Sequence, residues 1–249
     1  MSRKAKAYIA LIICSGVLVL AFSAGSWFST GLSQFLTVLG LAAISSTFKV
    51  RIPGIESTMS PNFVFLVLGM VFCSFSEVIA ITLVAALVQS LWTARQPRLV
   101  QVAFSAAALI LSASVAYQAS YLLLGASAVN CHVALVILAG SIYLPLNTAL
   151  ISAVIGLVDG KPLAQVGGIC YQSVFPSFIG GIVFAGLIGG TFSRPTVWRG
   201  AIVLLPVIVL GYLYSLSRTA SVASVPIRSA RTEEEEFVEV GSRLPRPRA

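Results

Sequence analysis

Apolar positions in this chain do not alternate with polar ones at the strand period, nor do they form one stripe at the helical period. They run on in uncharged blocks separated by short polar or charged breaks. A block that is apolar on every side suits a helix surrounded by lipid or by protein rather than water. The blocks predict helices near residues 7–25, 32–48, 62–74, 77–93, 100–124, 133–157, 171–191 and 197–216. The third is only about 13 residues, or roughly 20 Å at 1.5 Å per residue, too short to cross a bilayer unless it is tilted, re-entrant or shielded by protein. The expected fold is all-α, a polytopic transmembrane helical bundle of about eight spans over residues 1–216.

Composition agrees. Of 249 residues 57% are apolar and 10% charged, where a soluble domain carries about 25% charged residues. The chain begins with Arg3, Lys4 and Lys6, an apolar run from Tyr8 to Phe22 and the small residues Ser23, Ala24 and Gly25, which partly mimic a secretory signal. The uncharged stretch continues through Trp27 and Phe28, beyond the ~7–15 residues of a signal core, so it reads as an anchor helix.

A net charge of +8 in a soluble protein would suggest nucleic acid. Here the excess lies in short loops and a tail, where the positive-inside rule accounts for it, and nucleic acid is not implied. With the N-terminus inside, fourteen of the sixteen Lys and Arg residues fall in cytoplasmic segments, among them Lys49, Arg51, Arg95, Arg98 and Lys161, and only Arg194 and Arg199 fall outside. An even number of spans with both termini in the cytoplasm, in a bacterial inner membrane, follows. Lys49, Arg51, Arg95 and Arg98 are the candidates for contact with lipid headgroups or a cytoplasmic signalling partner. From Ser217 the chain turns to Ser, Arg, Pro and the run Glu233–Glu236, too poor in apolar surface to fold, and residues 217–249 read as a disordered cytoplasmic tail.

Ionisable and polar groups inside spans are costly and are functional candidates for that reason. Glu77, at the outer start of the fourth span, is the leading one; the competing reading is a first-turn glutamate after Ser76 that favours a helix N-terminus. Gln89, Gln101, Gln118 and Asn147 can bond across helices, and Asn147 follows Pro145, which removes a backbone donor. Asn62, at the start of the short third segment, joins Glu77, Gln89 and Asn147 as a ligand-binding candidate. Gly181, Ala185 and Gly189 fall at four-residue spacing and offer a small-residue packing surface, within the chain or between copies in a homo-oligomer. Cys73 and Cys131 both lie at the outer face in this topology, where an oxidising compartment would permit a disulfide.

Chemistry is excluded more easily than assigned. Four cysteines without CxxC pairing and a single histidine, His132, do not build a metal site. The fragment Gly156 to Pro162 lacks the spacing of a phosphate loop and its closing Ser or Thr. No GxSxG or HExxH is present, so neither an enzyme nor a cofactor is expected.

The string Phe48-Lys49-Val50-Arg51-Ile52-Pro53-Gly54, then Ser57 to Phe63 and the run to Gln89-Ser90-Leu91-Trp92, resembles the multi-pass sensor regions of MASE type that precede GGDEF or HD-GYP domains in bacterial cyclic-di-GMP signalling proteins. Leu146-Asn147-Thr148 through Asp159-Gly160-Lys161-Pro162-Leu163, and Tyr171 to Phe175, are also similar to those regions, so that the resemblance spans roughly residues 10–215. It implies a stand-alone sensory module: such receptors continue into a charged helical linker and a catalytic domain, whereas this chain continues into Tyr214-Ser-Leu-Ser-Arg218 and the Ser/Glu/Pro tail. The alternatives are a small-solute uptake protein resembling the substrate-binding membrane subunit of a vitamin transporter, and a structural membrane subunit.

Overall fold

The computed structural model describes residues 3–27, 29, 31–47, 50–51, 58–59, 62–92, 99–125, 131–160 and the separate positions 167, 168, 171, 182 and 185. Within them the order is α1 (Arg3–Gly25), α2 (Leu32–Thr47), β1 (Val50–Arg51), β2 (Thr58–Met59), α3 (Phe63–Phe72), α4 (Phe75–Leu91), α5 (Leu99–Leu124) and α6 (His132–Asp159). The all-α class stands. The expected eighth helix and the tail lie outside the described residues, and of the expected seventh only Tyr171, Ile182 and Ala185 lie within them. Gly181, Gly189, Lys49, Arg95 and Arg98 also lie outside them. One feature had no forecast: β1 and β2 form a two-residue antiparallel ladder, with Val50 opposite Met59 and Arg51 opposite Thr58.

Three helices, α1, α5 and α6, are long and apolar enough to cross a membrane. The other three are shorter, and contacts between them show how they fit. The Tyr8 ring lies tilted against Phe104, with centroids 6.3 Å apart, and Gly16 lies against Ala107, so α1 and α5 run parallel. The Tyr8 hydroxyl reaches the Leu150 carbonyl at 3.2 Å, so α6 runs opposite to α1. Gly69 faces Val38 of α2 and both Val78 and Ile81 of α4, while Asn62, eleven residues before the break at Cys73, meets Ser46 and Gln89. Helix α3 is therefore antiparallel to both α2 and α4, and α3–α4 is a helical hairpin. Direction alternates at every step from α1 to α6.

The short α3 forms the centre of this arrangement. Every residue from Phe63 to Val71 is buried, packed by α2, α4 and α6. This is the shielded alternative among those open to a short apolar segment: a helix walled in by protein has no bilayer thickness to match. The main core gathers around it from Val38, Ala42, Ala85, Ala113, Ala116, Leu135, Val136, Ala139 and Tyr143, and includes Ala185. Ala185 is fully buried in that core.

A second cluster joins α1 to α5 through Ile9, Ile12, Phe104, Ala107 and Ala108. The buried positions of α1, namely Ala5, Ile9, Ile12, Gly16 and Ser23, follow steps of four, three, four and seven residues, one stripe of the helix. Helix α6 ends at Gly160, whose φ of 70° is left-handed and suits glycine.

Candidate functional site

Two polar clusters mark opposite ends of the α3–α4 hairpin. The first is built on the break between the two helices. Ser74 has extended backbone and caps α4, and with Glu77 it forms a capping box. The Glu77 N–H donates to Ser74 Oγ at 3.4 Å, and the Ser74 N–H donates to Glu77 Oε2 at 2.8 Å. The helix starts at Phe75, two residues before the forecast, because Ser74 rather than Ser76 serves as the cap.

The box occupies only one oxygen of the carboxylate. Ser29 Oγ, in the α1–α2 connection, donates to Glu77 Oε1 at 2.8 Å, and Ser76 Oγ donates to the Ser26 carbonyl at 3.0 Å. Glu77 is 0% exposed. One fully buried carboxylate thus holds the hairpin turn, the start of α4 and the α1–α2 connection together. First-turn capping describes one oxygen, and the other reaches the α1–α2 connection.

Aromatic rings wall this cluster. Phe75 sits edge-on between Phe22 of α1 and Tyr117 of α5, and Tyr117 stacks on Tyr121 at 4.5 Å. Tyr121 hydroxyl donates to the Met70 carbonyl at 3.2 Å, satisfying one of the carbonyls that the C-terminal turn of α3 leaves without a helical donor. His132 at the start of α6 lies 5.6 Å from the Phe72 ring. Cys73, in the turn between α3 and α4, is buried, and burial, reinforced by the neighbouring Glu77 carboxylate, pushes its thiol up to about 12. Cys73 and Cys131 are both free thiols, Cys131 exposed, so the structure contains no bridge between them.

The second cluster lies at the other end of the hairpin. Asn62 Nδ2 donates to Ser46 Oγ and to Gln89 Oε1, each at 3.2 Å. Ser46 in turn donates to the Ala42 carbonyl at 2.7 Å. Asn62 spends its side chain on these partners and makes no side-chain cap for α3. Two of the four sequence-derived ligand candidates, Asn62 and Gln89, are therefore in contact with each other, and Glu77 stands at the far end.

Asn147 is elsewhere, in α6 two residues beyond Pro145. Its Oδ1 is buried and has no hydrogen-bond partner among the described residues, and the same holds for Ser120 Oγ and Ser152 Oγ. Gln101 and Gln118 are exposed. Arg51 contributes backbone to β1. Among the described residues no group of three His, Cys, Asp or Glu side chains could hold a metal.

Sequence reading missed Ser26, Ser29, Ser46 and Ser74. The Ser74-to-Glu77 spacing is a legible capping-box signal, but nothing local marks Ser29 or Ser46, whose partners are distant in sequence. No protein-family model, curated protein or solved structure matches the chain.

Proposed function

We propose that this chain is a multi-pass protein of the bacterial cytoplasmic membrane, N-terminus and C-terminus inside, that senses or binds a ligand among its helices and passes the change to a cytoplasmic partner, with no catalytic output of its own. The observation that carries the reading is Glu77: a fully buried carboxylate whose two oxygens tie the α1–α2 connection to the hairpin turn. Burying an acid in an apolar bundle is costly, and Ser74 alone would cap α4. The extra cost is consistent with a cluster that changes partners when a ligand arrives. The alternation of helix direction and the Lys/Arg distribution support the topology, and Arg51 in the β1–β2 ladder lies on the side assigned to the cytoplasm.

A thermal-shift screen of small polar and cationic solutes on detergent-purified protein tests this. A compound present at about a hundred times its Kd should raise the unfolding free energy by about 2.7 kcal/mol. It should do so for the wild type and not for Glu77→Gln, each measured against its own baseline. Equal shifts in both proteins would remove Glu77 from the site.

The unpartnered Asn147 Oδ1 favours a second reading, solute uptake, in which a donor group of the solute pairs with that acceptor. Uptake of a labelled solute into proteoliposomes, lost in Asn147→Leu, is its test.

A further inference from the structure

We propose that the bilayer is held between two exposed indoles, Trp27 and Trp92, so that the α2–α4 side of the bundle fits a hydrocarbon layer thinner than usual. The proposal rests on the membrane-spanning reading and on no ligand. Trp27 is placed by its neighbours: Ser26 and Ser29 on either side of it are bonded to Ser76 and Glu77, so the indole stands level with the first turn of α4. Trp92 is the residue after the last turn of α4. From Glu77 to Trp92 is fifteen residues, about 22 Å along a helix at 1.5 Å per residue.

Both indoles are open to the surroundings, Trp27 at 53% and Trp92 at 72% exposure. Trp concentrates where one edge of its ring meets lipid and its N–H meets water. Between the two levels the exposed side chains of α2 are Leu32, Leu36 and Ile44 with Ser33 and Thr37, and Thr37 turns its hydroxyl back to the Ser33 carbonyl at 2.7 Å. In sequence the charges resume at Lys49, two residues past α2, and at Arg95, three past Trp92. Sliding the bilayer toward either end would draw one indole into hydrocarbon.

An apolar band of about 22 Å falls well short of the usual core of about 30 Å. Helices α1, α5 and α6, with 23, 26 and 28 residues, are long enough to cross either layer, their excess length taken up partly by tilt and partly by turns that extend past the band. The α2–α4 side has no such reserve and sets the match.

The test uses the full chain in vesicles. Proteins keeping only Trp27 (Trp92→Phe, Trp198→Phe) or only Trp92 (Trp27→Phe, Trp198→Phe) are reconstituted in dioleoyl-phosphatidylcholine with lipids brominated near the headgroup or near the chain ends. Each indole should be quenched about twofold more by the shallow bromines. Wild-type protein, which needs no substitution, should unfold at its highest temperature in dimyristoleoyl-phosphatidylcholine and at progressively lower ones in the dioleoyl and dierucoyl lipids. Stronger quenching by the deep bromines, or a stability maximum in either longer lipid, overturns the thin band and leaves the spanning reading standing. Quenching by neither set overturns both.

Discussion

Gly16 of α1 and Ala107 of α5 approach so closely that a Cβ placed on Gly16 would lie 2.6 Å from the Ala107 Cβ and 2.7 Å from its Cα. The Cα is backbone and cannot rotate away, so the two helices must separate to admit even a methyl group. Gly16→Ala gains up to about 1 kcal/mol of intrinsic helix propensity but incurs overpacking of about 1–3 kcal/mol. The expected net effect is destabilisation, greater for Gly16→Leu. In a double-mutant cycle, Ala107→Gly should recover part of the loss in Gly16→Ala, since one of the two clashing atoms is removed. Thermal unfolding in detergent measures all four proteins, and a more stable Gly16→Ala would refute the tight crossing.

Glu77→Gln should destabilise the fold, because both carboxylate oxygens accept hydrogen bonds and an amide offers one acceptor only. The lost bond and the mismatched NH₂ should cost about 1–3 kcal/mol. Ser29→Ala should cost about 1–2 kcal/mol, and Ser74→Ala, which removes only the cap oxygen, about 1 kcal/mol. Urea or thermal midpoints rank the three. An unchanged midpoint in Ser29→Ala would mean that the connection after α1 is not held by Glu77.

At the opposite end, Asn62→Leu removes the one donor shared by Ser46 and Gln89. Hydrogen bonds across membrane helices average about 0.6 kcal/mol with a maximum near 1.7, so the single change should cost about 1–2 kcal/mol. Gln89→Leu should cost less, since Asn62 keeps Ser46. A coupling energy near zero between Asn62 and Gln89 would show that the pair does not form.

The thiols should separate by environment. Burial and the Glu77 carboxylate hold the Cys73 thiol at about 12, so it remains protonated, and a maleimide needs the thiolate. Raising the pH from about 7 to 9 should leave Cys73 unlabelled in native protein, whereas exposed Cys131 should react throughout. Mass spectrometry of single-cysteine variants reads the outcome. Prompt labelling of Cys73 would place it in contact with water.

The helix boundaries from α1 to α6 were legible within a few residues because charges and turn residues interrupt the apolar blocks, and each interruption is local. The pairing of those helices was not. Nothing around Gly16 announces Ala107, and nothing around Ser29 announces Glu77, since hydropathy reports how apolar a segment is and not which neighbour it meets. The start of α4 lies two residues before the apolar run suggests, because the cap is Ser74, at capping-box spacing from Glu77, and not Ser76. Within the clusters, Glu77, Asn62 and Gln89 were visible as rare polar residues in oily surroundings. Their serine partners were not, since serine is too common in these helices to stand out.

Helix α3, apolar all round and enclosed by α2, α4 and α6, bears on how the chain is made. Among the described helices its last neighbour begins at His132, 60 residues after α3 ends at Phe72, so in a membrane-spanning chain one side of α3 faces lipid during synthesis before it faces protein. An apolar surface tolerates that exchange with little change in free energy, because acyl chains are as apolar as leucine. A polar residue on that side would be stranded in hydrocarbon until α6 arrived. The uninterrupted Phe63–Val71 run therefore meets a demand of biosynthesis as much as of packing: each intermediate along the growing chain must itself be comfortable in the bilayer.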